Sequence, residues 1–117
     1  MKEKQPSVRF SRIGNILCID IGGDIDHHSA APLREQIDMQ IYSARPKEIT
    51  ISLAGVSFMD SAGLGLVVGR LVTAKEVGCS LTLTGVSPRT MKIFEMAGLE
   101  RMRGLTIRGA EEKRNMQ

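Results

Sequence analysis

Residues 49–69 have the sequence ITISLAGVSFMDSAGLGLVVG and change from strand periodicity to helical periodicity within a few residues. Apolar and polar residues alternate over Ile49–Leu53, which predicts a strand. After the connector AGVSFMD, apolar residues recur at helical spacing at positions 64, 67, 68, 71 and 72, which predicts an amphipathic helix. Ser61 lies at the junction, and we expect it to be the N-cap, because its hydroxyl can accept a hydrogen bond from the first turn.

The residues before this stretch predict a hairpin followed by a helix. The segments Ser7–Arg12 and Ile16–Ile21 indicate an edge strand and a more central strand, which the glycine pair at 22 and 23 ends. Apolar residues at positions 30, 33, 37, 41 and 44 then share one helical face. We expect Ser29 to be the N-cap of this helix, with Pro32 in its first turn.

The residues after it predict two further strands and a helix. Ser80–Thr84 indicates a third core strand, after a second helix that ends at Gly78. Ser87, followed by a proline, predicts the start of a third helix that Gly98 terminates. Residues 105–107 predict a final edge strand.

The resulting order, β-β-α-β-α-β-α-β, predicts an α/β fold with a mixed, mostly parallel sheet of four to five strands. Right-handed crossovers in one direction would place the helices on one face. The carboxyl ends of the strands would then meet at one edge, with the DIDHHS and MDSAG loops as neighbours. We expect a single domain over residues 1–117, with residues 1–6 and 109–117 frayed.

Composition restricts the function classes. The chain has 117 residues, 42% of them hydrophobic and 25% charged, with no apolar run near the ~20 residues of a membrane span. We therefore expect a cytoplasmic protein without membrane association, with Cys18 and Cys79 as buried, reduced thiols. A net charge of +3 with only three Phe, one Tyr and no Trp argues against nucleic-acid binding. We expect a monomer when free and no cofactor.

Catalysis by Ser61 is one alternative. Ser61 could act as a nucleophile, with His27 or His28 as base and Asp26 or Asp60 as the residue that orients the base. The G-x-S-x-G pattern of a nucleophile elbow is absent, however, because a methionine stands two residues before the serine.

Neither a metal site nor a phosphate loop matches the spacing. The adjacent histidines lack the spacing of known metal motifs. The glycines at 63, 65 and 69 fit neither G-x-G-x-x-G nor the Walker pattern. Gly65 and Gly69, four residues apart, instead predict a small-residue stripe that admits close approach, either by a neighbouring element of the domain or by a partner.

A phosphorylation switch is the other alternative to a simple capping role for Ser61. Phosphorylation would add about −1.5 to −2 charges at a helix N-terminus, which tolerates an anion. The effect would fall on a docked partner, which would meet the dianion beside Asp24, Asp26 and Asp60.

Three motifs together resemble bacterial anti-sigma-factor antagonists, which are single STAS domains, and in particular the sporulation antagonists of the forespore sigma factor. The motifs are GDIDHHS at 23–29, SFMDSAGLG at 57–65 with the following Gly-Arg pair, and SP…FEMAGL at 87–99. The resemblance extends in register to about Leu105. Sporulation antagonists commonly have D-S-S-G where this chain has D-S-A-G, so Ser61 is the only hydroxyl acceptor in this loop.

The resemblance implies that Ser61 is phosphorylated by an anti-sigma factor that is itself a serine kinase. The unphosphorylated protein would bind this kinase and free the sigma factor, and a serine phosphatase acting on the phosphorylated form would restore the unphosphorylated one. The alternative within the same family is a STAS module of another partner-switching pathway, such as a stress response. We expect Gly63 and Gly65 to keep the helix start slim enough for the kinase active site. The resemblance further implies that seven residues lie at or near the kinase-binding face: Asp24, Asp26, His28, Asp60, Gly63, Leu64 and Gly65.

Overall fold

A computed structural model describes residues 5–110 of the protein. It contains one sheet of five strands, which lie side by side in chain order. The first strand is antiparallel to the second, and the remaining pairs are parallel. The elements are β1 (Ser7–Ile13), β2 (Ile16–Ile25), α1 (His27–Ala44), β3 (Glu48–Met59), α2 (Ser61–Glu76), β4 (Ser80–Val86), α3 (Pro88–Met96), a 3-10 helix (Leu99–Arg101) and β5 (Leu105–Gly109). The predicted α/β fold with a mixed sheet is confirmed.

The helices cover one face of the sheet, as the crossover argument predicts. Along β3, Ile49, Ile51 and Leu53 are buried, whereas the intervening Thr50 and Ser52 are partly exposed on the opposite face. The same alternation holds along β2 and β4. The core therefore lies between the sheet and the helices. Among residues 5–110, no helix is long and apolar enough to cross a membrane.

Two strands extend further than the sequence predicts. β2 continues through the glycine pair to Ile25, and β3 includes the predicted connector as far as Met59. The two strands stay paired to their ends, where Ile25 is opposite Met59, with register shifts on either side of the glycine pair. Gly22 and Gly55 make this possible, because a Cβ on Gly55 would lie only 3.3 Å from the Gly22 Cα.

The third helix and the last strand follow the prediction more closely. Ser87 caps α3, its hydroxyl accepting the Thr90 N–H at 3.2 Å, and Gly98 adopts a positive φ of 76° after the helix. Gly109, predicted to belong to the frayed end, is the last residue of β5. The rest of that predicted frayed end, apart from Ala110, lies outside the described residues, as do residues 1–4.

Both cysteines are free thiols, as predicted. Cys79 is buried, and its Sγ donates to the Pro46 carbonyl at 2.7 Å. Burial raises the pKa of this thiol. Cys18 is half-buried on β2, less enclosed than predicted.

Candidate functional site

The carboxyl ends of β2 and β3 meet at one edge of the sheet. Asp24 is paired with Phe58, and the Asp60 N–H donates to the Ile25 carbonyl at 3.3 Å. The loops that follow the two strands are therefore held side by side, and their predicted proximity is confirmed. Phe58 is 48% exposed at this edge, an apolar surface residue that the sequence analysis did not single out.

Asp60, and not Ser61, is the N-cap of α2. The Asp60 backbone is extended, and its Oδ1 accepts the Ala62 N–H at 2.8 Å. The predicted cap was wrong by one residue, because aspartate caps a helix as well as serine does and comes first in the chain. Ser61 is consequently the first helical residue, and its exposed hydroxyl makes no hydrogen bond to residues 5–110.

At the start of α1, too, the N-cap is an aspartate and not the predicted serine. Asp26 is the N-cap, accepting the N–H groups of His28 at 2.9 Å and Ser29 at 3.1 Å. Ser29, the predicted cap, accepts the Asp26 N–H in return at 3.0 Å, which completes a capping box. The pKa of Asp26 lies below its ordinary value, chiefly because the Ser29 N–H donates to the carboxylate; desolvation opposes this effect.

Three of the predicted partner-binding residues line one cavity of about 590 Å³. Asp24, Asp26 and His28 form part of its wall, and residues 5–8 form another part. The His28 ring lies 4.9 Å from the ring of His27, centroid to centroid. The cavity gathers two carboxylates and an imidazole at the same sheet edge as Ser61.

The residues after Ser61 differ in what surrounds them. Gly63 is buried, and a Cβ there would overlap Cγ of Met59 and lie 2.9 Å from its Sδ. Packing inside the domain therefore requires a small residue at this position. Leu64 is half-buried against the core. Gly65 is exposed, and a Cβ there would meet nothing within 4 Å.

A buried ion pair joins α1 and α2. Arg70 Nε lies 2.9 Å from Asp38 Oδ1, with the two side chains 5% and 26% exposed. Burial lowers the pKa of Arg70, and the charge of Asp38 opposes this shift. The apolar faces predicted for the two helices include neither residue. The buried stripe of α2 also differs from the prediction, with Leu66 and Arg70 inside and Val72 exposed.

The catalytic alternative finds no support in this geometry. Within residues 5–110 no hydrogen bond connects the Ser61 hydroxyl to His27 or His28, as a nucleophile and its base would require. In the same part of the chain, no three His, Cys, Asp or Glu side chains are grouped as metal ligands.

The sequence is similar to a known domain family and to characterised bacterial proteins. The STAS domain family model matches residues 7–112. An anti-sigma F factor antagonist from Lysinibacillus sphaericus is 37% identical over 81 residues, 69% of each chain. The anti-sigma-B factor antagonist of Bacillus subtilis (strain 168) is 37% identical over 86 residues, 74% of this chain and 77% of the relative.

Two solved structures have a fold similar to that of this chain. The anti-sigma factor antagonist SpoIIAA in its unphosphorylated form matches with a TM-score of 0.68 and 26% identity, covering 94% of both chains. A structure of the Bacillus cell fate determinant SpoIIAA in the phosphorylated form matches with a TM-score of 0.68 and 27% identity, over 94% of this chain and 98% of that one. Because the family model spans nearly the whole described chain and the fold agrees with these structures, this protein belongs to the STAS-domain family.

Proposed function

We propose that this protein is an anti-sigma-factor antagonist switched by phosphorylation of Ser61. Unphosphorylated, it binds an anti-sigma serine kinase and so releases the sigma factor. The kinase phosphorylates Ser61, which ends the interaction, and a serine phosphatase restores the binding form. Relatives named for two different sigma factors match at the same 37% identity, so the proposal names this partner-switching chemistry and not one sigma factor.

The capping of α2 is the observation that carries the proposal. Because the Asp60 side chain caps the helix by accepting the Ala62 N–H, Ser61 is spared that role, and its exposed hydroxyl makes no hydrogen bond within residues 5–110. A kinase can therefore modify it without disturbing the helix. The N-terminus of a helix also tolerates the negative charge of the product.

Electrostatics explains how the modification would end binding. A phosphoserine adds about −1.5 to −2 charges at neutral pH. It would appear at an edge that already carries Asp24, Asp26 and Asp60. A partner surface matched to the neutral hydroxyl would be repelled, whereas a fold that makes no use of the hydroxyl would be retained.

Binding to the cognate ATP-loaded anti-sigma kinase tests the proposal. Ser61→Asp should lose binding while remaining folded, because an acidic residue in the first turn stabilises a helix by about 0.3–1 kcal/mol. Ser61→Ala should bind and not be released by ATP. The matched control is Ser80→Asp, which places the same charge on an exposed serine at the start of β4, on the opposite edge of the sheet.

Intact mass and peptide mapping locate the modification. Wild-type protein incubated with kinase and ATP should gain about 80 Da, the mass of one phosphoryl group, on the peptide that contains Ser61. A cognate phosphatase should remove it and restore binding. A Ser61→Asp variant that binds the kinase as tightly as wild type would contradict the repulsion argument, and modification of another residue would contradict the assignment of the site.

A further inference from the structure

A small recess with a volume of about 60 Å³ lies between the end of β3 and the first turn of α3. We define the β3–α3 recess by the lining residues used below: Phe58 and Met59 on β3, and Ser87, Arg89 and Thr90 at the start of α3. Met59 is followed directly by Asp60 and Ser61, so the recess adjoins the sheet edge that carries the proposed phosphorylation site.

The recess forms because β4 separates from β3 before β3 ends. The two strands are paired only as far as Ser52 and Thr84, whereas β3 continues to Met59. Gly85 then adopts a positive φ of 64°, and a Cβ there would lie 2.8 Å from the Ala54 Cβ, so a glycine is required where the strands separate. From this point β4 stays paired with β5. Among residues 5–110, the end of β3 therefore has no strand neighbour on the side that faces α3.

Phe58 presents an apolar surface beside the recess. Its side chain is 48% exposed, although its backbone belongs to the paired part of β3, opposite Asp24. Phenylalanine and arginine are both enriched in the central parts of protein interfaces, where burial of an aromatic ring contributes much of the contact area. The recess combines these two residue types at one sheet edge.

Arg89 is a cation whose position the fold itself does not explain. It is exposed, and within the described part of the chain it forms no ion pair or hydrogen bond. A positive charge in the first turn opposes the helix dipole, so Arg89 does not stabilise the start of α3. The neighbouring hydroxyls are engaged with each other, because Ser87 Oγ donates to Thr90 Oγ1 at 3.1 Å. The guanidinium is therefore available to an anionic group from outside the domain.

A kinase that phosphorylates Ser61 would cover the recess as well. A stable interface buries roughly 800 Å² on each partner, which corresponds to a disc of about 16 Å radius. Phe58 is three residues before Ser61, so their Cα atoms are at most about 11 Å apart. Arg89 lines the same recess as Phe58. A kinase centred on Ser61 would thus contact both residues.

We propose that Arg89 is a specificity-determining residue for the anti-sigma kinase, which places a carboxylate against its guanidinium at the β3–α3 recess and an apolar side chain against Phe58. This inference rests on the proposed function. A carboxylate can accept two parallel hydrogen bonds from a guanidinium, whereas a kinase with a cation at this point would be repelled. The kinase-binding face would be acidic on the side of α1 and basic on the side of α3, which fixes the orientation of docking.

The nucleotide bound to the kinase is a less suitable partner for Arg89. Phosphoryl transfer requires the γ-phosphate in line with the Ser61 hydroxyl. Ser61 belongs to α2 and does not line the β3–α3 recess, whereas Arg89 does. The anion that reaches the recess is therefore assigned to a side chain of the kinase, and this assignment is tested below with two nucleotides.

Kinase affinity of two Arg89 variants tests the inference. Arg89→Gln removes the charge and should weaken binding by about tenfold, as expected for the loss of a hydrogen bond to a charged group. The loss should be equal with ADP-loaded and ATP-loaded kinase, and the salt dependence of the association rate should fall. Arg89→Glu should weaken binding further, by roughly 100-fold, because it opposes two carboxylates. Both variants should keep the wild-type Tm or exceed it, since the first turn of α3 loses a positive charge.

The matched control is Arg103→Gln. It removes the same charge from an exposed arginine at the opposite edge of the sheet, where the Gly104 carbonyl accepts the N–H of Leu81 at the start of β4. This variant should bind the kinase as wild type does.

Phe58→Ala tests the apolar contact and should also weaken binding by about tenfold or more. Its control is Ile13→Ala, which shortens an apolar side chain that is 68% exposed at the end of β1. Thermal unfolding of Phe58→Ala separates lost binding from lost structure, and the Arg89 variants keep the test valid if Phe58→Ala unfolds.

The outcomes distinguish the recess from the switch. If the Arg89 variants bind the kinase as wild type does while Ser61→Asp still loses binding, the recess proposal is wrong and the proposed function stands. If Arg89→Gln weakens binding to the ATP-loaded kinase alone, the anion is the γ-phosphate and the inference is overturned. If Arg103→Gln weakens binding as much as Arg89→Gln, only net charge matters and the inference is again overturned. If wild-type protein does not bind the kinase at all, both proposals are wrong.

Discussion

Gly63 and Gly69 lie in the same helix but differ in the space around them, so the same substitution should change the stability of the protein in opposite directions at the two positions. Gly63→Ala and Gly69→Ala make the same chemical change in the same helix. At Gly69 the new methyl group meets nothing within 4 Å, so replacing a helical glycine should stabilise the protein by about 0.5–1 kcal/mol. At Gly63 the methyl group would overlap Cγ of the buried Met59, and overpacking of this kind costs about 1–3 kcal/mol.

The difference between the two variants isolates the overlap. Because both gain the same helix propensity, Gly63→Ala should be about 1–3 kcal/mol less stable than Gly69→Ala in urea unfolding at pH 7. For a domain of roughly 100 residues, each 1 kcal/mol corresponds to a shift in Tm of about 4–8 °C. Adding Met59→Ala removes Cγ, so Gly63→Ala should no longer be destabilising in that background. Equal stability of the two single variants, or no coupling to Met59, would refute this explanation of Gly63.

Three further changes probe the caps and the contact between helices. Asp60→Ala removes the α2 cap and should lower the free energy of unfolding by about 1 kcal/mol in urea titrations; an unchanged midpoint would contradict the capping assignment. Asp26 has a folded pKa below the ordinary 3.8, so it stabilises the fold above that pH and the stabilisation is lost as pH falls through the folded value. Asp26→Asn, which still caps, should therefore flatten the acid limb of a stability–pH curve, and an identical limb would count against it. Tyr42 has a pKa raised above 10.0, chiefly by its hydrogen bond to Glu76, so its contribution is present below pH 10.0 and lost at higher pH. Tyr42→Phe should remove that alkaline loss, and a variant with the wild-type alkaline limb would exclude it.

The order of the elements and the direction of the strands could be predicted from the sequence because they depend on strong, local signals. Strand and helix periodicities differ clearly along the chain, and the hand of parallel crossovers leaves few topologies to consider. These two facts also placed the β2 and β3 loops together before any contact was known. The Asp60 N–H bond to the Ile25 carbonyl confirms that placement.

The ends of the elements could not be predicted, because neighbouring residues compete for the same role. Asp26 and Ser29 can each cap α1, and only the observed backbone shows that the aspartate does so while the serine completes the capping box. Similarly, glycines usually end strands, yet the pair at 22 and 23 lies within β2. The long parallel pairing with β3, which accepts bulges at this point, outweighs the local preference.

Arg70 illustrates a different limit of the sequence. Hydrophobic periodicity cannot assign a buried position to an arginine, and the compensating Asp38 is 32 residues away on another helix. Omitting Arg70 moved the predicted apolar face of α2 towards Val72, which is in fact exposed. The one signal available was the Gly-Arg pair in the motif, whose role only the tertiary structure explains.

The capping of α2 explains why a phosphorylation switch at this position would act on binding and leave folding unaffected. If the Ser61 hydroxyl were the cap, its modification would alter the bonding of the first turn, and the switch would change stability together with affinity. Because Asp60 accepts the Ala62 N–H, the hydroxyl of Ser61 is spared that structural role. The fold can then be the same in both states, while the charge presented to the kinase differs by nearly two units.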